Sequence, residues 1–105
     1  MIVRIWHGWT TPNDADAYET LLRDEIFPWI AGKKVGGFRR IELLRRPQRT
    51  EVEFVTLMWF DSLDAVKKFA GPQWEEAVVK PEARALLAHF DARSQHFEVR
   101  EEVAV

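Results

Sequence analysis

The sequence predicts an α+β fold in the order β-α-β-β-α-β, the split-βαβ or ferredoxin-like arrangement with an antiparallel sheet. Two observations predict it. Apolar residues recur at three- and four-residue spacing from Ala17 to Ile30 and from Ala83 to Phe90, which marks helices. Around them, 2–9, 38–46, 51–60 and 94–100 are rich in β-branched and aromatic residues, which marks strands. In this topology the first and third strands are central, and both are apolar on two sides. Val3 and Ile5 oppose Ile2 and Trp6 in the first; Phe54, Met58 and Phe60 oppose Val55, Leu57 and Trp59 in the third. The last strand is one-sided, Phe97 and Val99 against Ser94, His96, Glu98 and Arg100, as suits an edge.

Each element has its punctuation. Thr11 and Pro12 open the first helix, a hydroxyl to cap it and a proline where a missing N–H costs nothing. Its stripe is Ala17, Tyr18, Leu21, Leu22, Ile26, Trp29 and Ile30; Pro28 is expected to kink the last turn and Gly32 to release the chain. Gly36-Gly37 leads into the second strand, and the turn at Pro47-Gln48-Arg49-Thr50 returns it as the third. Asp61 or Ser62 caps a short helix through Leu63, Val66 and Phe69, which Gly71 ends. A short helical stretch with Trp74, Ala77 and Val78 is expected next. A helix then starts at Pro81 with Ala83, Leu86, Leu87 and Phe90 on its stripe.

Composition narrows the classes. A chain of 105 residues has room for one domain, 1–105, and 47% apolar content is enough for a core rather than a disordered chain. The net charge of −2 gives no general attraction for nucleic acid. Arg39, Arg40, Arg45, Arg46 and Arg49 cluster on the hairpin, where they read as charge protecting an edge strand from aggregation. The absence of cysteine excludes disulfides and thiolate metal sites, and the first residues read as a strand rather than an export signal, so a cytoplasmic location is expected. No apolar run approaches the ~18 residues of a membrane span, so no membrane partner is expected.

Helices of so short a chain cover one face of the sheet. The other face is expected to carry Trp6, Val55, Leu57 and Trp59, with Arg4, His96 and Glu98 at its rim. A patch of that size marks an interface, and its commonest solution is a two-fold homodimer with sheet stacked on sheet.

Trp59-Phe60-Asp61-Ser62-Leu63-Asp64-Ala65, a strand-end tryptophan followed by a capped helix, resembles the antibiotic-biosynthesis-monooxygenase-like domains of the dimeric α+β barrel superfamily. Arg4-Ile5-Trp6-His7-Gly8-Trp9-Thr10 and Arg93-Ser94-Gln95-His96-Phe97-Glu98-Val99 are similar to one bacterial subgroup, and the resemblance covers nearly the whole chain. It implies a dimeric α+β barrel. It also implies a repertoire of cofactor-free oxygenases acting on polycyclic phenols, haem-degrading enzymes, and members without activity.

Three histidines carry the candidate chemistry. His7 shares a strand face with Val3 and Ile5, assigned to the helix side, and is the candidate general base that would take a proton from a phenol. His89 flanks the stripe of the last helix beside Phe90; with Trp9, Tyr18 and Trp74 it is expected to wall a pocket for a planar ligand. His96 and Glu98 read as polar pairing at the dimer interface. No HExxH motif, nucleophile elbow or phosphate loop is present, so no metal is expected.

The expectation is a cofactor-independent monooxygenase of an aromatic or quinol-like small molecule; the alternative is a non-catalytic homodimer that binds a small hydrophobic molecule or serves a stress or pathway-accessory role. Haem-degrading relatives place an Asn, a Trp and an iron-ligating His where alignment on Trp59-Phe60-Asp61-Ser62 puts His7, Phe69 and Val79. The resemblance therefore implies no haem ligand here.

Overall fold

The computed structural model describes residues 1–105. In chain order the elements are β1 (Ile2–Thr10), α1 (Ala15–Leu21), α2 (Phe27–Ala31), β2 (Phe38–Pro47) and β3 (Val52–Phe60). There follow α3 (Leu63–Ala70), α4 (Pro81–Leu86), β4 (His89–Phe90) and β5 (Gln95–Glu98). The sheet is antiparallel, with β1 and β3 central, β2 outside β3, and β4 and β5 sharing the far side of β1. This is the α+β, ferredoxin-like arrangement the sequence predicts. No helix is long and apolar enough to cross a membrane.

The first helix starts at Ala15, after a turn in which Asp14 N–H donates to the Thr11 carbonyl at 3.2 Å, rather than at Pro12. Just before Pro28, α1 and α2 are joined by a π-helical turn, Leu22–Ile26, closed by Phe27 N–H donating to the Leu22 carbonyl. Proline lacks an N–H and its ring crowds the carbonyl four residues back; widening the turn by one residue relieves both. α3 behaves as expected. Ser62 Oγ accepts from Ala65 N–H at 3.2 Å, and Gly71 leaves the helix at φ +81°. Gly37, at φ +85°, is needed where the hairpin meets α3, since a Cβ there would lie 2.9 Å from Ala65 Cβ.

Two expected helical segments are not helical. Residues 74–78 are turn and extended chain; Ala77 N–H donates to the Ala92 carbonyl at 2.9 Å and Ser94 N–H to the Glu75 carbonyl at 2.8 Å. α4 stops at Leu86, and Phe90 lies in a strand opposite Gly8. The fourth edge is thus split. β4 and β5 flank residues 91–94, which leave β1 to reach 75–77.

Faces follow from the register, because cross-strand partners share a face. Phe54 and Phe60 are buried under the helices, so their neighbours Thr56 and Met58, and the β1 partners Ile2, Arg4, Trp6, Gly8 and Thr10, face the helices too. Val3, Ile5, His7 and Trp9 share the other, uncovered face with Val55, Leu57 and Trp59. The assignment of β1 made from sequence is therefore reversed. Arg4 and Trp6 leave the expected interface, and His7 joins it, because His7 pairs with Val55 and Trp6 with Thr56.

Candidate functional site

The helix-facing positions of the central strands pack closely at their two ends and leave a hollow in the middle. Phe60, Ala65 and Val66 pack one end; Val52, Phe54, Tyr18, Leu22, Ala15 and Ala83 pack the other. Between them Arg4, Trp6, Thr56 and Met58 form the floor of a cavity of about 180 Å³. Tyr18, Leu22, Ile26, Phe27 and Ile30 roof it, and Phe69, Val79 and Ser94 close its sides. The exposed Trp29 and Val78, with Lys33 and Lys80, mark where it meets solvent. Of its 19 lining residues 14 are hydrophobic, so it suits a largely apolar ligand. Gly8 keeps the floor in place, since a Cβ there would meet Leu87 at 3.0 Å and the Trp6 ring at 3.1 Å.

Arg4 is 5% exposed and forms no salt bridge. Its guanidinium donates to the carbonyls of Trp74, at 2.5 Å, and Glu76, at 3.3 Å, and meets His96 Nε2 at 3.0 Å. The loop pairing of 75–77 with 92–94 supplies those carbonyls. Burial lowers the Arg4 pKa to about 10, so it remains a cation. His96 is pushed down to about 4, by burial first and then by the Arg4 charge, against the pull of Glu75. It is neutral at pH 7, with Nε2 accepting from Arg4. Burial also raises the Tyr18 pKa, so Tyr18 stays a phenol and a donor.

Of the residues expected to wall the pocket, only Tyr18 does. Trp9 and His89 lie on the uncovered face, where their rings stack at 4.5 Å and 10°. His7 stacks on Trp9 at 6.0 Å, and its Nδ1 lies 2.9 Å from Glu53 Oε2. His89 Nε2 lies 3.0 Å from Glu51. His89 is there because it belongs to β4 and not to a helix. Trp74 contributes its carbonyl to Arg4 while its ring packs edge-on against His96 at 5.0 Å. Among residues expected at the interface, Val55, Leu57 and Trp59 do lie on the uncovered face, whereas Arg4 and His96 lie on the helix side. Glu98 is at the exposed edge, 3.7 Å from Arg100. On the hairpin Arg39, Arg40, Arg45 and Arg46 are all held by carboxylates, of Asp61, Glu42, Asp16 with Glu19, and Glu53.

Sequence reading placed Arg4 and Trp6 at the interface rather than in the cavity, and did not single out Thr56 or Ser94 as site residues. A signal was present: an arginine inside a strand apolar on both sides needs a reason to be there.

No group of three or more His, Asp or Glu side chains is placed to hold a metal. A histidine-ligated haem does not fit either. Phe69 and Val79 do line the cavity, and neither offers iron a lone pair; no histidine lines it.

No family model and no curated protein matches the chain. Solved structures do. A proposed antibiotic biosynthesis monooxygenase from Bacillus cereus superposes with a TM-score of 0.66 at 16% identity, covering 99% of this chain and 97% of that one. MhuD, a heme-degrader from Mycobacterium tuberculosis with two hemes bound in its active site, gives 0.59 at 22% identity, over 99% and 100%. SnoaB, a cofactor-independent oxygenase from Streptomyces nogalater, gives 0.56 at 21% identity, over 97% and 96%. The chain has the fold of the antibiotic-biosynthesis-monooxygenase-like domains. What is shared at these identities is the fold, and the chemistry has to be argued from the cavity.

Proposed function

We propose that this protein is a cofactor-independent oxygenase of a small aromatic molecule, which it holds between helices and sheet. The observation that carries the reading is the cavity itself: apolar walls, a neutral phenol at Tyr18, and no metal-ligating set. The same fold in SnoaB supports it. At about 180 Å³ the cavity is close to the ~150 Å³ apolar void that admits benzene, so it suits one aromatic ring rather than a fused set.

In such a reaction the substrate supplies the electrons. A phenol and dioxygen give a para-quinone and water: one oxygen atom replaces the para hydrogen as a carbonyl, and the other leaves as water with that hydrogen and the phenolic proton. The substrate loses four electrons and dioxygen gains four. The protein's part is to bind the ring, keep bulk water from it, and favour the ionised phenol that gives up an electron.

A second reading, a non-catalytic binding protein, is favoured by one observation. No imidazole or carboxylate lines the cavity, and His7 is on the other face of the sheet. Oxygen uptake with single-ring phenols and hydroquinones, beside anaerobic binding read by tryptophan fluorescence, decides between them. Uptake matched by quinone supports the oxygenase, with His7→Ala turning over within about threefold of the parent. Binding without uptake assigns the protein to the second class.

A further inference from the structure

The floor of the cavity holds a cation with no anion beside it. Buried charges are ordinarily paired, because desolvating one alone costs several kcal/mol. Arg4 is surrounded by two carbonyls, the neutral His96 ring and the Phe69 ring 6.0 Å away, and Glu75, whose charge reaches His96, makes no ion pair with it. Two Nη1 hydrogens and one Nη2 hydrogen are engaged, which leaves Nε–H and the second Nη2 hydrogen without a protein acceptor. Nε–H is not sealed in protein, since the one buried side-chain atom that is both sealed and unpartnered is Thr10 Oγ1. Arg4 lines the cavity, so a ligand held there is the partner available to its free donors.

The remaining ionised groups agree in sign. The chain has 17 acidic and 15 basic residues, yet the lining contains Arg4, Lys33 and Lys80 and no carboxylate. Lys33 and Lys80 both lie over the Trp29 ring, at 4.3 and 3.9 Å from its centre, which fixes two positive charges at the mouth. A net-acidic protein has set aside one cation-lined hollow.

We infer that the ligand is a single-ring aromatic oxyanion, a carboxylate or a phenolate, whose charged oxygen is anchored by the free N–H donors of Arg4 while its ring fills the apolar space under Tyr18 and Phe27. This rests on the cavity reading above and adds the substrate's charge and its anchor. Arg4 also explains how a site without a base favours a phenolate: a fixed cation lowers the pKa of a phenol bound against it. An anion there would in turn offset the burial that holds the Arg4 pKa down to about 10. A carboxylate and a phenolate present the same chemistry to the guanidinium fork, and two probes separate them.

The test is titration of the protein with benzoate and its neutral isostere benzamide, read by quenching of tryptophan fluorescence, and with 4-nitrophenol, read by its phenolate absorbance. The parent is expected to bind benzoate or 4-nitrophenolate about tenfold to a hundredfold more tightly than benzamide, the range of a hydrogen bond to a charged group. Arg4→Met is expected to remove that preference and Arg4→Lys to keep part of it. Bound 4-nitrophenol should ionise at lower pH than free; a shift with 4-nitrophenol but no benzoate preference names the phenolate as the ligand, and the reverse names the carboxylate. The comparison of charged and neutral probes on the parent needs no variant, so it stands even if Arg4→Met fails to fold. Equal binding of benzoate and benzamide with no ionisation shift overturns the inference and leaves the apolar cavity intact as a site. No binding of any of the three overturns both.

Discussion

Arg4 Nη1 and His96 Nε2 lie 3.0 Å apart, so the imidazole accepts from a cation and must be neutral to do so. The folded pKa of His96, about 4, is below its ordinary value of 6.5. Between those values the unfolded chain binds a proton that the native one excludes. The contribution to stability is therefore full above pH 6.5 and is lost as pH falls toward 4. Urea midpoints are expected to drop between pH 7.5 and 5, and His96→Gln to flatten that window. Glu53, held low by His7 and then Arg46, and Asp61, held low by Arg39, lose their share from the ordinary carboxylate range downward, so a drop above pH 5 reports His96. A midpoint that does not move above pH 5 contradicts the neutral-acceptor geometry.

Thr10 is fully buried and its hydroxyl has no partner. Valine has nearly the same shape without the unsatisfied oxygen. Thr10→Val is expected to raise stability by about 1 kcal/mol in urea denaturation. A loss of stability instead would mean that the hydroxyl is hydrogen-bonded in solution.

The uncovered sheet face carries Val55, Leu57, Trp59, Ile5, and Phe97 at its edge. We expect a second copy to cover it, giving twice 12.3 kDa in sedimentation equilibrium at micromolar concentration. Leu57→Glu should shift that mass to the monomer or unfold the chain. A stable wild-type monomer would refute the pairing.

Haem mixed with the protein is expected to show no histidine-ligated Soret band and no loss of absorbance with a reductant in air, because no histidine lines the cavity. A sharp Soret shift abolished by His89→Ala would reverse this.

Strand order, the β2–β3 hairpin and a capped start of α3 at Asp61 or Ser62 were legible from turn and capping residues and from strand alternation, and the structure assigns the cap to Ser62. The facing of β1 was not. Val3 and Ile5 balance Ile2 and Trp6, so alternation carries no sign, and only the register opposite Phe54 and Phe60 decides it. That parity put His7 outside the cavity and Arg4 inside. Residues 83–90 misled for a related reason. Leu86, Leu87 and Phe90 keep helical spacing across a helix end that no glycine or proline marks, and pairing with Gly8 and Trp9 claims His89 and Phe90 for the sheet.

The wide turn at Leu22–Ile26 has a consequence for how this scaffold diversifies. Each residue of an α-helix advances the side chains by roughly 100° around the axis. A π-helical turn holds one residue more than an α-turn, so removing one residue from Leu22–Ile26 lets it close to α-helix and leaves Phe27, Trp29 and Ile30 facing as they do. Removing one from α1 instead, with the wide turn kept, would swing all three together and take Trp29 away from Lys80. A single-codon deletion in the wide turn therefore spares the mouth, whereas one in the flanking α-turn retunes ligand selection without altering any residue on the floor.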